Sequence, residues 1–122
     1  MKILVVDDSE SNRTMMETLL QLHGHLVITA ENGVAGIQMM EKYPSIDIVM
    51  SDVDMPGADG FEVLAAAREK IPNARLWLMS GEMTPQRAYR ATHNFGAEEA
   101  FLKPDFVKIC RARGIIPARK VA

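Results

Sequence analysis

Short apolar runs alternate along the chain with longer segments of helical periodicity. The runs are rich in aliphatic and β-branched residues, which is typical of buried strands, and lie at residues 3–6, 26–30, 46–51, 76–79 and 100–102. Between them apolar side chains recur every three or four residues, which predicts amphipathic helices. The positions expected to face the core are Met15, Met16, Leu19 and Leu20, then Val34, Ile37 and Met40, then Phe61, Leu64, Ala65 and Ile71, and finally Ala88, Ala91 and Phe95.

Helix boundaries also follow from the sequence. Asn32 is a favourable N-cap, and Thr84-Pro85 places an N-cap before a proline at the first helical position. The last helix is expected from about Asp105 and is broken by Gly114 and Pro117. Strands that alternate with helices predict a doubly wound α/β fold, with a parallel sheet, right-handed crossovers and helices on both faces.

Length and composition restrict the function classes. The 122 residues predict one domain, spanning 1–122, in which residues 115–122 are expected to form a tail. A net charge of −2 gives no electrostatic footprint for direct nucleic-acid binding, and no apolar run is long enough to span a membrane. The single cysteine, Cys110, is expected to be a buried thiol in a reducing compartment. We therefore expect a cytoplasmic protein with neither nucleic-acid nor membrane contacts.

Polar residues stand directly after four of the five predicted strands. Asp7-Asp8 follows the first strand, Asp52 the third, Ser80 the fourth and Lys103 the fifth, whereas the second ends in a plain Ala-Glu. If the second strand is at an edge, in the order 2-1-3-4-5, the polar residues converge at one rim of the sheet. Ligands bind at this rim in open α/β sheets.

The residue types at this rim suit phosphoryl chemistry. Clustered carboxylates repel one another and favour a cation, and open oxygen ligands suit Mg²⁺, or Mn²⁺, better than zinc. Lys103 would supply a positive charge and Ser80 a hydroxyl, while Gly81 leaves space and an exposed N–H. This set can transfer a phosphoryl group to an aspartate, here Asp52. Taken singly, Asp52 also reads as a loop cap, Lys103 as a salt-bridge partner and Ser80 as a turn residue.

Over nearly its whole length the chain resembles a receiver domain of the two-component response regulators. The matching features are Asp7-Asp8, Asp52 followed by Met55-Pro56 and Asp59-Gly60, Ser80-Gly81, and Lys103-Pro104. The resemblance implies a flavodoxin-like (βα)5 fold and a phosphoacceptor switch that turns over no separate substrate. The phosphoryl donor would be a phosphohistidine on a sensor histidine kinase or a phosphotransfer protein. The resemblance also implies an unidentified downstream protein that receives the signal, and it allows for a dimer that forms on phosphorylation.

The resemblance also assigns roles within the site. Asp52 would be the phosphoacceptor, with Ser80 and Lys103 on the phosphoryl oxygens. Its metal ligands would be Asp8 directly, Asp7 through water, Asp52 and the backbone carbonyl of Asp54, and its phosphoryl-binding amides those of Val53 and Gly81. Two acidic side chains, Asp54 and Glu82, occupy positions expected to modulate the lifetime of the aspartyl phosphate.

Two features depart from the family pattern. The aromatic residue that usually stands three places before the lysine is replaced by Ala100, and Phe101 is one place later, so its side chain is expected on the other face of the strand. Either the strand adjusts locally, or the usual coupling between serine and aromatic is absent, which we favour.

The second departure is the short last helix, which ends in basic residues. They indicate either a solvated helix end or a docking patch for an acidic partner. They are Lys108, Arg111, Arg113, Arg119 and Lys120.

Two other functions remain open at this point. Asp52-Val53-Asp54 after an apolar strand also fits the Asp-x-Asp of haloacid-dehalogenase-type phosphatases, with Asp52 as nucleophile and Asp54 as general acid. The order of the acids along the chain fits that fold poorly. The second alternative is a receiver-fold binding scaffold that takes no phosphate, for which only the alanine at position 100 argues.

Overall fold

The computed structural model describes residues 1–118 and confirms the predicted alternation, with bounds that differ by one or two residues. The strands are β1 (Lys2–Val6), β2 (Leu26–Ala30), β3 (Ile48–Asp52), β4 (Arg75–Ser80) and β5 (Glu99–Leu102). The helices are α1 (Glu10–Leu22), α2 (Gly33–Lys42), α3 (Gly60–Lys70), α4 (Pro85–Tyr89) and α5 (Phe106–Ala112). A π-helical turn over Arg90–Asn94 continues α4, and a 3₁₀ turn over Lys103–Asp105 precedes α5.

The five strands form one parallel sheet in the order β2-β1-β3-β4-β5, which confirms the predicted order. The register aligns the strand ends. Val6 pairs with Ser51, Asp52 pairs with Met79, and Ser80 pairs with Leu102. The residues that follow β1, β3, β4 and β5 therefore leave the sheet along one edge, where the sequence predicted a shared site.

The core consists of two layers, one on each face of the sheet. On one face, Val6, Val49 and Leu78 of the strands pack against α2, α3 and the turn after α4. On the other face, Val5 and Trp77 pack against α1 and α5. This second layer contains Cys110, which is buried as predicted, and burial raises the pKa of its thiol to about 12.

Three predicted core positions are wrong, because periodicity alone does not fix the position and width of the helix face that packs on the sheet. Met15 is 46% exposed, since Met16 and Leu20, one turn apart, are the α1 residues that meet the sheet. Val34 of α2 is 53% exposed, and Ala65 of α3 faces solvent. In α3 the buried positions that the prediction missed are Val63 and Ala67.

The first residues of the tail expected over 115–122 pack against the domain, and residues 119–122 lie outside the described part of the chain. Ile115 and Ile116 are buried in the layer formed by α1 and α5. Their N–H groups donate to the carbonyl oxygen of Cys110, which folds the chain back after α5. In residues 1–118 no helix combines the length and the apolar character needed to cross a membrane.

The predicted helix caps are confirmed, and α3 adds one. The side chains of Asn32 and Thr84 accept hydrogen bonds from the first turns of α2 and α4. Asp59 and Glu62 form a reciprocal capping box at the start of α3. These caps begin α3 and α4 immediately beyond the edge of the sheet that holds the polar residues.

Gly60 ties the start of α3 to the end of β3. Its N–H donates to the carbonyl oxygen of Val53 at 2.9 Å. A Cβ at this position would lie 2.3 Å from the carbonyl oxygen of Asp52 and 2.8 Å from the Cα of Val53. Because both are backbone atoms, a side chain here can only be accommodated by moving the loop that carries Asp52.

We expect Gly60→Ala to lower the free energy of unfolding by at least about 2 kcal/mol, because the backbone must shift to relieve the contact. Gly81→Ala is the matched control, since nothing lies within 4 Å of a Cβ built there. Its effect should stay within about 0.5 kcal/mol. Urea denaturation measures both, and equal stabilities for the two variants would contradict this account.

Candidate functional site

Three carboxylates meet at the edge of the sheet where β1 and β3 end. Asp7 and Asp52 are almost completely buried, at 0% and 3% exposure, whereas Asp8 is exposed. One carboxylate oxygen from each of the three lies within 4.8 Å of the others. The structure thus brings together the acids that the sequence predicted. Their geometry can hold one cation, with Asp8 on the side open to water.

Lys103 places its ammonium against the two buried carboxylates. Its Nζ donates to Asp52 Oδ2 at 3.1 Å and to Asp7 Oδ1 at 3.3 Å. Asp7 Oδ2 is also 3.1 Å from Nζ but outside hydrogen-bond geometry, and no group in residues 1–118 donates a hydrogen bond to it. A buried carboxylate oxygen without a donor retains its capacity to bind a cation.

The buried environment changes the protonation of these groups. Burial raises the pKa of Asp52 to about 6, because the charged form loses its contact with water. Lys103 opposes this rise through its hydrogen bond and charge, and the charge of Asp7 adds to it. Burial by itself would lower the pKa of Lys103, but the hydrogen bonds to Asp7 and Asp52 outweigh it and the net shift is upward. Lys103 therefore remains an ammonium group.

Ser80, at the end of β4, is fully buried and hydrogen-bonded to its neighbours at the rim. Its Oγ donates to Asp54 Oδ2 at 3.0 Å and accepts from the backbone N–H of Glu82 at 3.0 Å. Asp54 lies in the loop after β3, and its side chain is 61% exposed. The structure thus brings Ser80 together with Asp54, a pairing that the sequence did not predict.

Arg87, on α4, is the site residue that sequence reasoning missed. Its Nη2 donates to Asp54 Oδ1 at 2.6 Å, and its Nη1 donates to Ser80 Oγ at 3.3 Å and to the Glu82 carbonyl oxygen at 2.8 Å. The Arg87 guanidinium lowers the pKa of Asp54, and the hydroxyl of Ser80 adds to the effect. The Thr84-Pro85 helix start was the available signal, because it places residue 87 in the first turn of α4, next to the rim.

The backbone amides at the rim differ in their availability. The N–H of Val53 donates to the Met79 carbonyl oxygen at 2.9 Å, so it serves the β3–β4 ladder and does not face the site. The amide that faces the carboxylate of Asp52 is that of Asp54, whose N–H donates to Oδ1 at 3.3 Å. Gly81 is exposed, and no atom lies within 4 Å of a Cβ built on it.

Strand β5 keeps its regular alternation, so no local adjustment brings an aromatic ring behind Ser80. Ala100 pairs with Leu78 and packs in the layer with α2 and α3. Phe101 pairs with Met79 and packs edge-on against Trp77, with ring centroids 6.0 Å apart, in the layer with α1 and α5. The face of β5 on the α4 side therefore carries only a methyl group at this position.

The structure places the remaining predicted residues away from the acid cluster. The side chain of Glu82 is exposed, and only its backbone contacts the rim. Arg113 is paired with Glu99 at 2.8 Å and bonds the Glu98 carbonyl oxygen, so it is a structural partner of β5. Lys108 and Arg111 are exposed residues of α5, and Arg119 and Lys120 lie outside the described residues.

Comparison with known proteins identifies relatives among the response regulators. The family model described as the response regulator receiver domain matches residues 3–112. The two-component response regulator ORR6 of Oryza sativa subsp. japonica is 29% identical over 118 residues, which cover 90% of this chain and 69% of that protein. The response regulator protein FleR of Pseudomonas aeruginosa is 30% identical over 103 residues, but the match covers 84% of this chain and 21% of FleR.

Solved structures show the same architecture at similar identity. The chemotaxis protein CheY4 of Vibrio cholerae superposes with a TM-score of 0.81 at 28% identity, covering 94% of this chain and 98% of CheY4. The response regulator protein TrrA of Thermotoga maritima, solved in complex with Mg²⁺-BeF, gives a TM-score of 0.75 at 29% identity, with 94% and 98% coverage. With five parallel strands in the matching order and a family match over almost its full length, the chain belongs to the response regulator receiver domain family.

Proposed function

We propose that the chain is a phosphoacceptor switch in which Asp52 takes a phosphoryl group. The observation that carries this proposal is the contact between the buried Asp52 carboxylate and Lys103 Nζ at 3.1 Å, beside the carboxylates of Asp7 and Asp8. Receiver domains are signalling switches that generally turn over no separate substrate, and the family of this chain supports that reading. The raised pKa of Asp52 marks a carboxylate poorly solvated and hence more reactive as a nucleophile.

In the proposed transfer, an oxygen of the Asp52 carboxylate attacks the phosphorus of a phosphohistidine. The new P–O bond makes a mixed anhydride, and the P–N bond breaks with its electron pair returning to the imidazole nitrogen. The transferred group keeps its negative charge, so the site must supply positive charge and hydrogen-bond donors. Lys103 supplies an ammonium already in contact with Asp52, and Ser80 and the N–H of Gly81 stand at the next strand end. The N–H of Val53 can donate to a phosphoryl oxygen only after its hydrogen bond to the Met79 carbonyl oxygen is broken.

The acid cluster fits Mg²⁺. Three carboxylates lie together, Lys103 contacts two of them, and Asp7 Oδ2 is buried without a hydrogen-bond donor in the described part of the chain. Hard oxygen donors with one side open to water match the preference of this ion. Asp7, Asp8 and Asp52 would hold it with the backbone carbonyl of Asp54, and Mn²⁺ would suit the same oxygens. When bound, the ion would neutralise charge on the phosphoryl oxygens.

The proposed partners follow from the same chemistry. A phosphohistidine on a histidine kinase or a phosphotransfer protein would donate the group, and a downstream protein would read the altered surface. Contacts that change on phosphorylation include those of Ser80 and Asp54, since a phosphoryl group at Asp52 adds about two charges beside them. Asp54 and Glu82 remain our candidates for residues that set the lifetime of the aspartyl phosphate.

The two alternatives receive less support. A haloacid-dehalogenase-type phosphatase would need Asp54 to be a proton donor, but Arg87 lowers the pKa of its carboxyl and keeps it ionised. A scaffold that takes no phosphate is compatible with the methyl group at Ala100. It gives no reason for the Asp7 and Asp52 carboxylates to be buried around one ammonium.

Incubation with Mg²⁺ and either acetyl phosphate or phosphoramidate should add one phosphoryl group to the chain, measured as intact mass. Asp52→Asn and chelation by EDTA should abolish the gain. Asp59→Asn is the matched control, because asparagine also caps helices and the side chain lies outside the acid cluster. Equal gains in wild type and Asp52→Asn would show that another group is the acceptor.

The raised pKa of Asp52 predicts a stability change in metal-free buffer. The folded state holds this proton more tightly than the unfolded state, whose carboxyl titrates near 3.8. Stability contributed by the protonated form is therefore complete below about pH 4 and is lost as the pH rises to about 6. Asp52→Asn removes this loss, so above pH 6 its free energy of unfolding should exceed that of wild type by about 3 kcal/mol. Urea titrations at pH 4 and pH 7.5 measure it, and parallel curves for the two proteins would contradict the burial argument.

A further inference from the structure

The hydroxyl of Ser80 uses its proton and both of its lone pairs in hydrogen bonds in the described structure. A hydroxyl has one proton to donate and two lone pairs that accept. Ser80 Oγ donates its proton to Asp54 Oδ2 and accepts from the N–H of Glu82 and from Nη1 of Arg87. To donate to a phosphoryl oxygen on Asp52, Ser80 must therefore first give up its bond to Asp54.

Arg87 reinforces that commitment from the side of α4. Its Nη2 holds Asp54 Oδ1 at 2.6 Å, which fixes the carboxylate that accepts from Ser80. Its Nη1 contacts both Ser80 Oγ and the carbonyl oxygen of Glu82. One planar guanidinium thus joins the loop after β3, the end of β4 and the loop before α4. The fork geometry matters, because a single ammonium cannot make these contacts together.

Apart from this attachment, helix α4 has few contacts with the rest of the domain. None of its residues, Pro85–Tyr89, is buried, and the first buried side chain after it is Ala91 in the π-helical turn. Helices with few buried apolar contacts open at low free-energy cost. In residues 1–118, Arg87 is the one side chain of α4 that hydrogen-bonds Ser80. Position 100 of β5 carries only the methyl group of Ala100, so no aromatic ring at that position can follow Ser80.

We propose that Arg87 is a positioning residue that, through Asp54, holds Ser80 away from Asp52 and couples the release of Ser80 to the release of α4. The proposal rests on the proposed function, because Ser80 is drawn away only by a phosphoryl group at Asp52. When Ser80 moves, Nη1 of Arg87 loses this acceptor and the Asp54 carboxylate loses a donor. Because position 100 is an alanine, no aromatic side chain there can link Ser80 to the neighbouring helix, and the Arg87 contact provides the link instead.

Because coupling is reciprocal, a contact that restrains Ser80 before phosphorylation must weaken the binding of a phosphoryl mimic. Beryllofluoride with Mg²⁺ is the probe, and its affinity is measured by titration. Arg87→Gln should bind it about fivefold more tightly than wild type. Asp54→Asn should do the same, and the double variant should gain no further factor, because both substitutions break one linked set of bonds.

Arg90→Gln is the matched control. It removes an arginine three residues along, whose guanidinium stacks 4.1 Å from the ring centroid of Phe61 and makes no described contact with Ser80 or Asp54. Its affinity for beryllofluoride should equal that of the wild type. Unchanged affinity in Arg87→Gln would overturn the proposal. Weaker binding would overturn it too, since Arg87 would then assist the phosphoryl group directly.

A second readout needs neither metal nor phosphoryl mimic. Amide hydrogen exchange over residues 85–94 should be faster in Arg87→Gln than in wild type, in buffer with EDTA. Adding Mg²⁺ and beryllofluoride should accelerate the same amides in wild type and leave them unchanged in Arg87→Gln. Equal amide exchange in metal-free wild type and Arg87→Gln would contradict the proposal that Arg87 holds α4 in place. Failure of wild type to bind beryllofluoride would instead count against the proposed function, and the metal-free comparison would still decide the role of Arg87.

Discussion

The site depends on one ammonium group shared by two buried carboxylates. Asp7 and Asp52 leave the neighbouring strands β1 and β3, and Lys103 reaches them from the end of β5, across the end of β4. Two carboxylates in such a place repel each other, and the charged form of each loses hydration. Lys103 compensates only part of this cost, as the raised pKa of Asp52 shows. The rim therefore retains a demand for positive charge, which is the property that a phosphoacceptor site with a divalent cation requires.

The same rim has a second half, built around a hydroxyl instead of an acid. Ser80, Asp54 and Arg87 are joined by hydrogen bonds, and Ser80 Oγ also accepts from the N–H of Glu82. Lys103 thus neutralises only part of the negative charge in the acid half, whereas the hydroxyl of Ser80 has no unused donor or acceptor. A divalent cation would supply the positive charge that the acid half lacks, and a phosphoryl group on Asp52 would compete with Asp54 for the proton of Ser80. This difference gives a physical reason for an event at β3 to be felt at α4.

The sequence predicted the acid half well, because its residues stand directly at strand ends, and parallel strands bring those ends together. Strand order followed from the same observation, since only β2 lacked a polar end. The hydroxyl half was harder. Arg87 lies on a helix whose orientation depends on tertiary packing, and nothing in its spacing links it to Asp54 or Ser80. Core positions at the borders of the apolar stripes, such as Met15 and Val34, failed for a similar reason: periodicity gives a face, but the neighbouring elements decide how wide it is.

The most direct test of the central claim is to locate the phosphoryl group on the chain. After reaction with phosphoramidate and Mg²⁺, borohydride reduces an acyl phosphate of aspartate to homoserine, and tandem mass spectrometry of tryptic peptides identifies the reduced residue. Trypsin releases residues 43–68 as one peptide, which carries Asp52 together with Asp47, Asp54 and Asp59. The account predicts homoserine at position 52 alone. Homoserine at position 54, or in the peptide 3–13 that carries Asp7 and Asp8, would contradict it.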